Sequence, residues 1–298
     1  MASRQSELSS SSSSLPKTRW WSKETVAIVT GANKGIGFAL VKRMAELGLT
    51  VILTARDNTR GMKAIDSLNK LGLHVYYHQL DVSDTFSIQA FTSWFANNFT
   101  ALDILVNNAA ISFNDIHENS VEHAETVICT NFYGPKRLIE ELWPVFRCSS
   151  TVTRILNISS RLGLLSKLRN EELRNMLLDE ENISEKQIEG LVNLFVENVK
   201  DGTWKSKGWP ELWTDYAVSK LALNAYSIVL ARDYKGKGIS VNCYCPGFTQ
   251  TSMTGGKGKY TAQGAAEIGV ILALLPPLHL PTGKFYLGSN PPNIYSKI

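Results

Sequence analysis

The stretch that most restricts this chain is VAIVTGANKGIG, residues 26–37, where a β-branched run passes straight into three closely spaced glycines and then into a helical apolar period. Val26, Ile28 and Val29 suit a buried strand. Gly31, Gly35 and Gly37 let the backbone turn sharply and come close to whatever lies against it. A helix that begins at such a turn presents unpaired N–H groups and the positive end of its dipole. The pattern therefore predicts a bound anion at this point, a pyrophosphate above all.

The rest of the chain repeats that unit. Short β-branched runs at 26–30, 50–54, 75–80, 104–107, 153–158, 239–244 and 284–287 alternate with amphipathic stretches at 36–47, 58–71, 85–98, 120–146, 215–234 and 262–274. This reads as α/β: a Rossmann-type doubly wound parallel sheet of about seven strands, with its ligand crevice at the strands' carboxyl ends. One segment breaks the alternation. Residues 161–214 carry two charged helix-like stretches and Trp204, Trp209 and Trp213. A helical insert of this length inside a domain is expected to serve as a lid or binding element, although the tryptophans equally suit a role that only pins it to the body. No repeat or linker divides 23–298, so one domain is expected there.

Charge narrows the class of partner. There are 31 lysines and arginines against 27 acids, a net +4 with the signs interspersed, which favours a small molecule over nucleic acid. The apolar run at 268–275 is too short to span a bilayer and stops at Pro276-Pro277, so no membrane partner is expected. Cys129, Cys148, Cys243 and Cys245 have no C-x-x-C spacing, and His117 and His123 lie six apart rather than four. Neither a disulfide framework nor a metal site is expected. Residues 1–22, with SELSSSSSSLP, are read as a disordered Ser-rich tail. A plastid transit peptide is the alternative, against which Glu7 counts, and a cytoplasmic location is the expectation. The sequons at Asn98, Asn157 and Asn182 are then chance matches.

The stretch TDYAVSK, 214–220, sets Tyr216 and Lys220 one turn apart on one helix face among small and apolar neighbours. In an arbitrary helix this is a packed phenol beside a lysine whose stem reaches solvent. The context changes that reading. After TGANKGIG come NNAA (107–110), NFYG (131–134), NISS (157–160), YAVSK (216–220) and PGFTQT (246–251), one after another. With these motifs in this order, the chain resembles the short-chain dehydrogenase/reductase family over 23–290. The insert, LTARDNTRG (53–61) and KGWP (207–210) are similar to its monomeric carbonyl reductase-like subgroup, among them the plant menthone/neomenthol and salutaridine reductases. NNAA departs from the family's N-N-A-G by one methyl, at Ala110.

The resemblance implies a monomeric NADPH-dependent reductase that turns hydrophobic ketones or aldehydes into alcohols. Tyr216 is the implied proton donor and Ser160 holds the substrate oxygen, so both contact substrate; Ser159 is read as structural. Lys220 is implied to bind the nicotinamide ribose. Asn131 is implied to hold, through its backbone, a water linking Lys220 to solvent; a polar residue at a helix kink is the alternative. A phenol titrates near 10, and lowering it to neutrality takes about 4 kcal/mol. An ammonium some 4 Å away supplies about that much at an effective dielectric near 20, so Lys220 is expected to lower Tyr216.

The cofactor positions implied are Gly31, Asn33, Lys34, Gly35, Ile36, Gly37, Arg56, Asp81, Val82, Asn107, Ala109, Tyr216, Lys220, Pro246, Gly247, Thr249 and Thr251. Ala55 stands where NAD enzymes carry an acid, and Arg56 with Lys34 favours a 2′-phosphate, hence NADPH/NADP. Asp57 leaves NADH open. Two other readings remain: an NAD(P)-dependent alcohol dehydrogenase working oxidatively, and an NADPH-binding regulatory protein without catalysis.

Overall fold

Two-sided burial organises the molecule. In the computed structural model, which describes residues 15–16, 19–113, 119–147, 153–277, 280–288 and 293–295, the strands are β1 (Val26–Val29), β2 (Thr50–Ala55), β3 (Tyr76–Gln79), β4 (Ile104–Asn107), β5 (Thr153–Ile158), β6 (Ile239–Cys245), β7 (Lys284–Leu287) and β8 (Asn293–Tyr295). Their order is β3-β2-β1-β4-β5-β6-β7-β8, and β1 to β7 are parallel. The expected parallel seven are present. The short β8 adds an antiparallel edge.

The helices are α1 (Gly35–Glu46), α2 (Asn58–Asn69), α3 (Thr85–Asn98), α4 (Val121–Ile128), α5 (Gly134–Leu142), α6 (Glu171–Leu178), α7 (Glu185–Lys200), α8 (Thr214–Asp233) and α9 (Ala262–Ala273). Alternate strand residues serve opposite layers, as the period of two requires. Ala27, Val29, Val51, Leu53, Ile104 and Val106 pack with α1, α2 and α9. Val26, Ile28, Ile52 and Leu105 pack with α3, α4, α5, α7 and α8 on the other side. Because β1 lies between β2 and β4, the strand order reverses beside it, and a crevice opens at the carboxyl ends of β1 and β4.

The helix expected over 120–146 is broken. Between α4 and α5 lies a π-helical turn, Cys129–Tyr133, and a 3-10 turn, Trp143–Val145, ends the run. Pro135 is the cause that can be read, because it has no N–H to give to the carbonyl of Asn131 four residues earlier. Gly134 fixes the other side: a Cβ there would lie 2.8 Å from the Val82 carbonyl oxygen.

The tail reading also needs correction. Residues 19–22 pack onto the body: Trp21 is 5% exposed, and Trp20 Nε1 donates to the Leu274 carbonyl at 2.9 Å. The Arg154 guanidinium stacks 3.7 Å from the centre of the Trp20 ring, and Arg19 Nη2 donates to the Leu47 carbonyl at 2.7 Å. Residues 1–14, Cys148 and His117 lie outside the described residues. Among the described residues no helix is long and apolar enough to cross a membrane.

The insert supplies α6 and α7, and one lysine ties it down. Lys136 of α5 is buried; it pairs with Glu140 on its own helix and reaches Glu185 at 3.2 Å and Glu189 at 3.6 Å on α7. Burial works to lower its amine, but the hydrogen bonds it donates to Glu140 and Glu185 hold it above the ordinary lysine range. Removing it leaves three carboxylates facing one another. Lys136→Ala is expected to lower unfolding free energy by about 2 kcal/mol in urea titration, and an unchanged midpoint would mean the cluster is mere solvated charge.

Candidate active site

The crevice at the carboxyl ends is a continuous cavity of about 690 Å³. It is lined by every expected cofactor position except Gly37 and Asn107, and by Ser160, Tyr216 and Lys220. The two exceptions hold up its wall. Gly37 sits where a Cβ would be 2.4 Å from Asn108 Nδ2, so it lets the helix close on the loop after β4. Asn107 is buried and donates to Asn157 Oδ1 at 2.8 Å, while its own Oδ1 is buried without a partner. Its neighbour does the tying: Asn108 Nδ2 donates to the Thr30 carbonyl at 2.8 Å and the Gly31 carbonyl at 3.2 Å, and Thr30 Oγ1 accepts from the Asn108 and Ala109 N–H groups.

One end of the cavity is built for a negative charge. Helices α2, α3, α4, α6 and α7 begin on side-chain caps from Asp57, Asp84, Ser120, Asn170 and Ser184. Helix α1 begins at Lys34 without one, and Gly35 and Ile36 in its first turn face the cavity. Its free N–H groups and dipole are left for a ligand. Lys34, Arg56 and Arg60 line the same end. Asp57 lines it too and offsets one of the three: it accepts from the Arg60 N–H at 2.8 Å as the cap of α2 and lies 3.7 Å from the Arg60 guanidinium, which leaves Lys34 and Arg56. This donor set fits a phosphate-bearing cofactor.

At the other end β5 and α8 bring the polar groups together. Ser159 Oγ donates to Asn224 Oδ1 at 2.6 Å, and Asn224 Nδ2 donates to the Gly163 carbonyl at 2.9 Å, so this serine is tied into the wall. Ser160 points the other way, into the cavity, and hydrogen-bonds the Tyr216 hydroxyl. Lys220 Nζ donates to the Ile158 carbonyl at 2.8 Å and lies 5.6 Å from the centre of the Tyr216 ring. Asn131 is fully buried and does not line the cavity. It bridges instead: Nδ2 donates to the Ile111 carbonyl and to Ser219 Oγ, and Oδ1 accepts from the Ile111 N–H.

The electrostatics reverse one expectation. Burial, with the nearby Cys245, pushes the Tyr216 phenol above its ordinary range, and the Ser160 hydrogen bond only partly offsets this. Lys220 does not offset it, and the same burial brings its own amine down from 10.5 to about 8. The folded amine thus holds its proton less tightly than the unfolded one. The penalty is full below pH 8 and fades as pH rises towards 10.5. Relative to Lys220→Met, the wild-type protein is therefore expected to gain up to about 3 kcal/mol between these limits, read from urea unfolding at a series of pH values. A flat difference would show that the amine is not desolvated.

One residue escaped sequence reasoning, and another was named only as one of the insert's three tryptophans. Arg60 joins the cationic end through its place in the first turn of α2; its spacing of three from Asp57 was the available signal. Trp213, at the end of the insert and three residues before Tyr216, lines the cavity, whereas Trp209 is buried and donates to Asn198 Oδ1 at 3.0 Å. The insert is thus both pinned to the body and part of the cavity wall. Separating the two tryptophans needs the tertiary structure.

The short chain dehydrogenase family model matches residues 25–170 and 206–261. The chain is 37% identical over 283 residues to (+)-neomenthol dehydrogenase of Arabidopsis thaliana, covering 87% of this chain and 95% of that one. It is 37% identical over 273 residues to carbonyl reductase (NADPH) 1 of Mus musculus, covering 89% and 96%. Among solved structures, salutaridine reductase from Papaver somniferum superimposes with a TM-score of 0.81 at 35% identity, covering 88% of this chain and 99% of that one. With that match across the sheet and the site at the end of it, the chain belongs to the short-chain dehydrogenase family and is an oxidoreductase of that family.

Proposed function

We propose that the protein is an NADPH-dependent reductase of hydrophobic ketones or aldehydes. The observation that carries this reading is the polarity of one continuous cavity. Lys34, Arg56 and Arg60 gather at one end, while Ser160 and Tyr216 lie among Ile111, Leu212, Trp213 and Phe248 at the other. NADPH, when bound, supplies the hydride. Lys34 and Arg56 hold its 2′-phosphate, an assignment supported by Asp57 being used as a helix cap, and the free N–H groups of α1 hold its pyrophosphate. Lys220, reaching in from α8, holds the nicotinamide ribose. The name of the mouse relative specifies NADPH.

The raised phenol supports the reductive direction, because Tyr216 keeps its proton at neutral pH, as a donor to the alkoxide must. Ser160 holds the same oxygen as charge builds on it. Asn131 fixes α8 to the loop carrying Ile111, and its carbonyl, without an N–H from Pro135, is the place for a water serving Lys220. The packing of α7 over α4 and α8 supports a monomer, and a reduced cytoplasmic NADPH pool fits the direction.

The test is oxidation of NADPH and NADH by the purified protein against cyclic ketones, aryl ketones and medium-chain aldehydes. The expected preference for NADPH is at least tenfold in kcat/KM and collapses in Arg56→Ala. A preference for NADH would return Asp57 to the ribose. Alcohol oxidation without carbonyl reduction at neutral pH would reverse the direction, and tight NADPH binding without any turnover would reduce the reading to a nucleotide-binding protein.

A further inference from the structure

Among the described residues one non-glycine residue has a left-handed backbone: Trp213, with φ 48° and ψ 58°. For a side chain of this size that conformation brings Cβ against the following carbonyl and is unfavourable. Trp213 is also the first flanking residue of α8 and gives it no side-chain cap. Its carbonyl nevertheless accepts the Ala217 N–H at 2.7 Å, so the helix that carries Tyr216 and Lys220 starts from this strained residue.

The conformation has a visible result. The indole stands at 84° to the Tyr216 ring with centroids 6.2 Å apart, and Trp213 lines the cavity. Beside it Leu212 and Phe248 line the same cavity and are each 46% exposed, so with the indole they make an apolar surface open to a ligand. Strained backbone that the surroundings maintain is characteristic of sites where a group must be held in one place.

We propose that Trp213 is a specificity-determining residue, forming the wall against which the flat apolar part of a substrate lies while its carbonyl meets Ser160 and Tyr216. The substrate class this selects is a ketone or aldehyde whose carbonyl carbon adjoins a ring or conjugated system, in preference to a short aliphatic carbonyl. This rests on the reductase reading and sharpens it.

Three variants separate the indole from the backbone: Trp213→Phe keeps a ring, Trp213→Ala loses the ring and keeps the strain, and Trp213→Gly loses both. With an aryl ketone, kcat/KM is expected to fall at least tenfold in the alanine and glycine variants and to stay within about threefold in the phenylalanine variant; with propanal all three stay within about threefold. The glycine variant is expected to unfold about 2–4 °C above the alanine variant. Equal losses on aryl ketone and propanal would show that the indole merely supports Tyr216 and would overturn the proposal, as would equal unfolding midpoints for its strain component. If the wild type reduces neither substrate, the reductase reading fails, and binding decides alone: quenching of tryptophan emission by the aryl ketone with NADP present should be lost in Trp213→Phe, and undiminished quenching overturns the wall.

Discussion

Tyr216→Phe is expected to lower kcat for carbonyl reduction about a thousandfold while NADPH affinity stays within a factor of about three. The substitution removes one oxygen from a buried ring, leaving the ring itself against Trp213 and the Lys220 bond to the Ile158 carbonyl in place. What disappears is the hydroxyl that both faces the cavity and hydrogen-bonds Ser160. Steady-state rates, together with NADPH titration by fluorescence, measure the two effects separately. Retention of a tenth of the wild-type rate would mean that another group, such as a water on Ser160, delivers the proton.

Gly163→Ala is expected to act on the same site from behind. A Cβ at this position would lie 2.5 Å from the Lys220 carbonyl carbon and 2.6 Å from the Leu221 nitrogen. Both are backbone atoms inside α8, which cannot swing aside as a flexible side chain can. The 3-10 turn after Ser160 and the helix carrying Tyr216 must therefore part, and the bond from Asn224 to the Gly163 carbonyl lengthens with them. The expected cost is about 3 kcal/mol of stability and a hundredfold in kcat/KM. Gly190→Ala on α7, where an added Cβ meets nothing within 4 Å, is the control and should stabilise by about 1 kcal/mol. Wild-type activity in Gly163→Ala would show that the contact relaxes at no cost to the site.

What could be read from the chain alone divides along physical lines. Strands and outer helices were legible because burial on both faces of a parallel sheet leaves apolar runs, and because residues 30–37 put the glycines where a turn and an anion demand them. Ser160, Tyr216 and Lys220 were legible through motif order, and their meeting in one cavity needed only that the strands end on one side. The π-helical turn was not, since a single proline after Gly134 redirects a helix whose apolar period continues through it. The exchange of roles between Asn107 and Asn108 was hidden as well: adjacent residues at a strand end point in opposite directions, and register decides which meets the glycine turn. The sign of the Tyr216 shift depends on how much protein surrounds the ring. A charge pair in sequence carries no measure of burial.

The bond from Trp20 to Leu274 spans 254 residues. At a synthesis rate of roughly 5–20 residues per second, the Trp20 indole waits on the order of 10–50 s for its acceptor. The neighbouring Trp21 finds the Leu47 carbonyl, 26 residues on, almost at once. For most of translation one indole N–H therefore has its acceptor and the other does not, although the Trp20 ring can be covered by Arg154 well before α9 is made. The bond from the Trp20 indole N–H to the Leu274 carbonyl can form only once α9, the last helix packed on that layer, has been made.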